Sequence, residues 1–307
     1  VKKPASNGSE IGGAETNRGT DLFRERLKGE IVEARLPLFD DVGLKLTANP
    51  LTGNNFATGR LQKGWLLCKG GEELSEESVG FGVPLIQRGL TTVFPGRAEL
   101  ELRRDGRGLG VDAVFYLNLE ERIGGRTLKL IRSNFFLTLK KRLAHLYRSA
   151  PPLRSGMTAV SSLLQQLLRM ETVYERIEPA AAVCIRYRLS GRGGRLAVAA
   201  DFGFLGDATE AILMNEQGGR AFDEYMDTGG VRLSGKRIGG WDPIAADAAT
   251  FLSRRHGLGF SLRRLPGSRL YRGREYVGAR LAWSGFGYVL PPDTGRFEYD
   301  ISIGIPE

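Results

Sequence analysis

The sequence predicts a mainly β protein, either a large antiparallel β-sandwich or two coupled barrel-like β halves, with a central helical hairpin inserted. Three observations predict it. Short apolar stretches alternate with period two on both sides of the middle of the chain, and Gly, Pro, Asn and Asp punctuate them as turns. Between about 134 and 177 the apolar spacing changes to that of a helix. With 307 residues, 41% hydrophobic and 26% charged, the chain is long enough to bury a substantial core and has an ordinary globular composition.

The elements follow in chain order. Residues 1–20 are rich in Gly, Ser, Asn and charge with no apolar period, which predicts a flexible tail. Residues 21–133 form an N-terminal β half whose clearest hairpin runs from Ala98 to Glu120. There Leu100 and Leu102 share a face, Asp105-Gly106 supplies the turn, and Ala113, Phe115, Leu117 and Leu119 share a face on the return. Over 134–177 a helical hairpin is expected. Its first arm carries Phe136, Leu139, Leu143, Leu146 and Tyr147 and stops at Pro151-Pro152. Its second carries Met157, Val160, Leu164, Leu167 and Tyr174, widened by Leu163 and Met170. After Glu178-Pro179 a C-terminal β half, 178–307, returns to period two with Val183, Ile185, Tyr187 and Leu189, a Gly-rich turn, and Leu196, Val198, Ala200 and Phe202. The last strand puts Phe297, Tyr299, Ile301, Ile303 and Ile305 on one face.

Composition narrows the function classes. The net charge of +9 keeps a non-enzymatic module for anions or nucleic acid as one alternative. The basic runs Lys140-Lys141-Arg142, Arg254-Arg255 and Arg263-Arg264 are nevertheless short and scattered, so nucleic acid is not the expected partner. No apolar run reaches the roughly 18 to 20 residues of a membrane helix, and residues 1–20 hold no apolar leader core. A soluble, cytoplasmic protein without a membrane partner is expected, although Val1 in place of Met leaves room for a leader removed ahead of it. Cys68 and Cys184 sit beside apolar strand residues and are expected to be buried, inert thiols in a reducing compartment. His145 and His256 cannot make an imidazole cluster, and the Gly80-Phe81-Gly82 stretch lacks dinucleotide spacing. Neither a metal nor a cofactor is expected, and nothing in the pattern selects an oligomeric state.

The densest polar segment runs from Asn215 to Asp227. If its Gln217-Gly218-Gly219 turn closes a hairpin, Glu216, Asp223 and Tyr225 become near neighbours. Paired carboxylates beside a phenol suit acid–base chemistry on a sugar without a metal, so these three are the catalytic candidates. Turn polarity by itself is the competing explanation. Ligand-binding candidates come from two places. Glu76 and Glu77 precede Phe81 in a Gly-rich stretch able to line a ligand mouth or to form a β-bulge. Trp241, Tyr276, Trp283 and Tyr288 crowd the last quarter as platforms for a ring, with a core position the alternative for Trp283. The leading expectation is a protein that binds or processes carbohydrate or a related small molecule. A barrel for an apolar small molecule, acting as an isomerase or cyclase, is the other alternative.

Overall fold

The computed structural model describes residues 23–26, 30–48, 61–74, 78–89, 91–105, 108–125, 170–190, 194–277 and 280–304. These residues form two antiparallel sheets. The smaller has the order β1 (Phe23–Arg26), β2 (Glu30–Phe39), β3 (Val42–Thr47), β4 (Leu66–Lys69) and β5 (Glu72–Glu73). The larger is built from β6 (Phe81–Arg88), β7 (Thr91–Asp105), β8 (Gly108–Gly125), β9 (Met170–Ser190), β10 (Arg195–Asp201), β11 (Glu210–Gly218), β12 (Glu224–Asp227), β13 (Arg232–Ser234), β14 (Trp241–Pro243), β15 (Ala248–Ser253), β16 (Leu258–Arg263), β17 (Arg269–Val277), β18 (Arg280–Leu290) and β19 (Arg296–Gly304). Its order is β13-β12-β15-β16-β19-β10-β9-β8-β7-β6-β11-β18-β17-β14.

Strands from both ends of the sequence thus interleave in one sheet, and that sheet folds over on itself. Phe286 of β18 packs on Phe251 of β15 at 4.7 Å and on Phe260 of β16 at 5.7 Å between ring centroids. Tyr288 meets Tyr299 of β19 at 4.9 Å, and Phe81 of β6 meets Phe260 at 5.1 Å. One wing, β12 to β9, therefore faces the other, β6 to β17, across an aromatic core. A 3-10 turn, Gly235–Ile238, lies between the two edge strands β13 and β14 in the chain. The smaller sheet adds Leu36, Leu44, Leu46 and Leu67 to the same core.

The expected alternation explains the straight strands. Val183, Ile185 and Tyr187 are buried, as are Leu196, Val198 and Ala200 opposite them and Phe297, Tyr299, Ile301 and Ile303 on β19. Asp105 and Gly108 close the β7–β8 hairpin as its turn residues predict.

Three expectations change. The helical period does not govern 170–177, because β9 begins at Met170 and pairs with β8 down to Gly125. Met170 and Tyr174 are strand residues, and the rest of the expected helical hairpin, 134–169, lies outside the described residues. The reason is Pro179, which reads locally as a boundary but sits inside a long strand. The β8–β9 ladder passes directly from Leu117↔Ala181 to Leu119↔Arg176, skipping the stretch that holds it. Pro95 occupies the matching irregularity of β7. A proline gives the ladder no N–H, so both strands bulge at one level and bend. The bend flips the face. Phe115 and Leu117 join the main core, whereas Leu119, expected on the same face, joins a second cluster on the outer side. Cys184 is exposed rather than buried, because it alternates with core-facing Val183 and Ile185, and Cys68 is half-buried.

Candidate ligand site

The outer face of the wing β6-β11-β18-β17-β14 holds the second cluster. Val83, Leu85, Ile212, Met214 and Val289 are buried there, with Phe94, Tyr174, Trp241, Tyr271 and Trp283 packed on them and partly open to solvent. Register explains the shape. Glu216 of β11, Gly285 of β18, Gly273 of β17 and Trp241 of β14 lie in one cross-strand row. Gly287 and Tyr271 occupy the row on one side, Trp283 and Glu275 the row on the other. The three glycines leave a strip without side chains, which neighbouring groups fill. The six-membered ring of Trp241 leans over it, since a Cβ on Gly273 would lie 2.7 Å from Trp241 Cε3 and one on Gly287 would collide with the tip of the same ring. Tyr271 stacks on Trp241 at 5.4 Å and 8° between planes.

The bend at Pro95 and Pro179 supplies the opposite wall. It carries Tyr174 of β9 onto the outer side, where it packs edge-on against Phe94 at 5.2 Å. Burial raises the Tyr174 phenol above its usual range, and the carboxylates of Glu121, Glu275 and Glu216 raise it further. Laid flat, six inter-strand steps would put β9 about 29 Å from β17, far beyond the reach of a screened charge. Tyr174 nevertheless packs on the same cluster as Trp241, Tyr271 and Trp283, so the bent sheet brings both ends of this face together.

Glu216 sits on this face. It is 2% exposed. Burial pushes its carboxyl up to about 8, against the bond from the Val79 amide that lowers it, with Glu275 raising and Lys63 lowering it further. Val79 N donates to Oε1 at 2.6 Å. Among the described residues the other carboxyl oxygen has no hydrogen-bond partner.

Its neighbours in sequence point into the main core and tie β11 to irregular backbone. Asn215 Oδ1 accepts from Gly82 N at 3.0 Å and from the Tyr299 hydroxyl at 2.8 Å. Gln217 Oε1 accepts from Leu67 N at 2.9 Å, and its Nε2 donates to Trp65 O at 3.1 Å. Gly82, with φ 71, is the bulged residue of β6 that β11 skips between Met214 and Asn215, so the Gly-rich stretch serves a bulge. The polar run Asn215-Glu216-Gln217 thus replaces the ladder where the partner strand gives out.

The expected hairpin between Glu216 and Tyr225 does not form. β11 pairs with β6 and β18, whereas β12 pairs with β13 and β15 in the other wing. The reason is the chain after Gly218, which turns on itself through bonds from Ala221 N and Phe222 N to Gly218 O instead of returning along β11. Asp223 is exposed and its carbonyl accepts from Gly235 N. Tyr225 is buried against Phe251 and donates to Asp227 Oδ2 at 2.8 Å, while Asp227 Oδ1 accepts from Gly229 N and Val231 N. That pair organises a turn. Phe81 and Tyr288 lie fully inside the core and present no face to solvent. Trp241 and Trp283 are the candidates that share the outer face, and Trp283 Nε1 donates to Glu275 Oε2 at 2.8 Å. Tyr276 belongs to β17, but its side chain, like Glu76 and Glu77, lies outside the described residues. Sequence reasoning missed Tyr174 and Lys63; Tyr271 and Glu275 belong to the aromatic segment of the last quarter that it singled out, without a role of their own. The cross-strand spacing of Gly273, Gly285 and Gly287 is the signal that would have found the strip, once β17 and β18 were paired.

No group of three His, Cys, Asp or Glu side chains among the described residues is arranged to hold a metal ion. No helix among them is long and apolar enough to cross a membrane.

No protein-family model matches the sequence, and no curated protein matches it. Solved structures are similar in part. The α-N-acetylgalactosaminidase NagBb from Bifidobacterium bifidum, in complex with GalNAc, aligns with 89% of this chain and 36% of its own at 10% identity and a TM-score of 0.45. An α-mannosidase from Enterococcus faecalis aligns with 89% of this chain and 29% of its own at 8% identity and 0.37. A 4-α-glucanotransferase from Thermococcus litoralis aligns with 91% of this chain and 38% of its own at 9% identity and 0.35. The chain spans well under half the length of each.

Proposed function

We propose that the protein binds carbohydrate on the outer face of β6-β11-β18-β17-β14. The observation that carries this reading is the set of partly open rings, Trp241 stacked on Tyr271, with Trp283 and Tyr174, gathered on one outer face that also carries carboxyl groups. Aromatic faces cover the apolar C–H side of a sugar ring, and a few fixed polar groups select its hydroxyls. Glu275, oriented by the Trp283 indole, offers acceptors. Glu216, neutral below about pH 8, offers an O–H. Binding is the reading taken first, because Asp223 and Tyr225 lie in the other wing and the expected catalytic set of Glu216, Asp223 and Tyr225 is not brought together.

The test is calorimetric titration of short oligosaccharides into the wild-type protein and the Trp241→Ala and Trp283→Ala variants. Each truncation is expected to weaken binding about tenfold, the worth of one aromatic stacking contact of about 1 kcal/mol or slightly more. Wild-type affinity in both variants would refute the assignment of the face.

A further inference from the structure

Basic residues from three separate stretches of sequence meet at one edge of the larger sheet. Tyr225 and Phe251 point into the core. By alternation Glu224, Met226 and Leu252, with Ser234 and Arg232 paired beside them, form the opposite, outer face of β13-β12-β15. Arg237, in the 3-10 turn, reaches this face from one side and donates through Nη2 to Ser234 Oγ at 3.1 Å. Arg254, in the turn after β15, reaches it from the other and donates through Nε to Glu224 Oε2 at 2.8 Å. Ser234 and Glu224 are direct cross-strand partners, so the two guanidinium groups flank one row. Arg232 lies on the same side of β13, two residues from Ser234, and Lys236 and Arg255 stand exposed in the same two turns.

The patch is positive by pairing as well as by composition. Glu224 is taken up by Arg254. Arg232, Lys236, Arg237 and Arg255 make no ion pair among the described residues, and the exposed carboxylate of Asp223 is the other acidic group beside them. Guanidinium and ammonium groups stay charged throughout the neutral range, so the sign of the patch is fixed. Its framework is fixed too. Arg272 Nε donates to Ile238 O at 2.9 Å, Arg274 Nη2 to Lys236 O at 2.7 Å, and Gly235 N to Asp223 O at 2.9 Å. The turn that carries Lys236 and Arg237 is therefore clamped from β17 and from the start of β12, which lowers the ordering cost of binding.

The chemistry between the cations narrows the ligand. Met226, Leu252, Thr250 and Ser234 supply no ring on which a nucleic-acid base could stack. The sheet continues through β16, and four strands span about 14 Å, too broad to enter the roughly 12 Å major groove of duplex DNA. What the face does offer is several guanidinium forks close together, each able to take two oxygens of one anionic group. We propose that this edge is a second binding surface, in the wing away from the aromatic face, for a sulfated polysaccharide whose sulfates are held by Arg232, Arg237 and Arg254.

The experiment is calorimetric titration, at pH 7, of a heparin-derived hexasaccharide and of a short DNA duplex. The hexasaccharide is expected to bind saturably, to weaken at least about tenfold between about 50 and about 200 mM salt, and to keep its affinity for the Trp241→Ala protein. The double variant Arg232→Gln/Arg237→Gln is expected to bind at least about tenfold more weakly, with a shallower salt dependence and an unchanged melting temperature. Arg264→Gln/Arg296→Gln removes the same charge from exposed ion pairs elsewhere and is expected to stay within about twofold of the wild type. An equal loss in the two double variants would mean attraction to net charge alone and overturn the site. Duplex DNA bound as tightly as the hexasaccharide, loss of hexasaccharide binding in Trp241→Ala, or no hexasaccharide binding at all would overturn it as well. Carbohydrate binding on the aromatic face stands or falls separately, on the neutral oligosaccharide titrations.

Discussion

Burial of Glu216 makes stability depend on pH in a way that one isosteric substitution isolates. The carboxyl is pushed from 4.5 to about 8 chiefly by burial. An acid with a raised folded-state pKa holds a proton that the unfolded chain gives up, so its contribution is fully present below pH 4.5, declines as pH rises, and is lost once pH passes about 8. The slope is about 1.4 kcal/mol per pH unit. Between pH 5.5 and 8.5 the group titrates over 8 − 5.5 = 2.5 of those units, giving roughly 3 kcal/mol. Glu216→Gln removes the titration and keeps an acceptor for Val79 N. Urea unfolding, followed by tryptophan fluorescence across that range, is expected to show the variant gaining about 3 kcal/mol on the wild type and becoming the more stable protein at pH 8.5. A stability difference that stays constant from pH 5.5 to 8.5 would refute the account of a buried, neutral carboxyl.

The polar joint and the outer face make separate predictions. Gln217→Leu leaves the buried Leu67 amide and Trp65 carbonyl unmatched and is expected to cost about 2 to 5 kcal/mol in the same unfolding assay. A loss under about 0.5 kcal/mol would mean that the two sheets are not tied there. Gly285→Ala would drive a Cβ to 2.5 Å from Glu216 Cα, against backbone that cannot yield, whereas Gly287→Ala meets the movable tip of Trp241. The first is expected to unfold the protein, and the second to spare the melting temperature within a few degrees but weaken saccharide binding; equal melting losses would refute the distinction. Timed labelling with a maleimide is expected to modify exposed Cys184 within minutes and Cys68 far more slowly, because burial pushes the Cys68 thiol up to about 11. Equal rates would place Cys68 in the open.

By itself the sequence determined the β character of the described chain and the faces of its straight strands. Alternation is a local property: once Val183, Ile185 and Tyr187 are extended they must share a side, whichever strand lies next to them. The end of the β7 strand at Asp105 and the unusual polarity of Asn215-Glu216-Gln217 were legible for the same reason. Tertiary structure decided what the polarity is for. Glu216 meets Val79 across 137 residues and Gln217 meets Leu67 across 150, and no window of sequence contains such a pair. It also decided that Pro179 bends a strand instead of ending a helix, because its ladder irregularity coincides in space with that of Pro95, which lies in another hairpin arm. Trp241 and Tyr288 look alike as aromatic candidates, yet one stands over glycines on the open face and the other is sealed inside. Which side of a folded-over sheet a residue occupies depends on the pairing of distant strands, and only that pairing brings three scattered glycines together on one face.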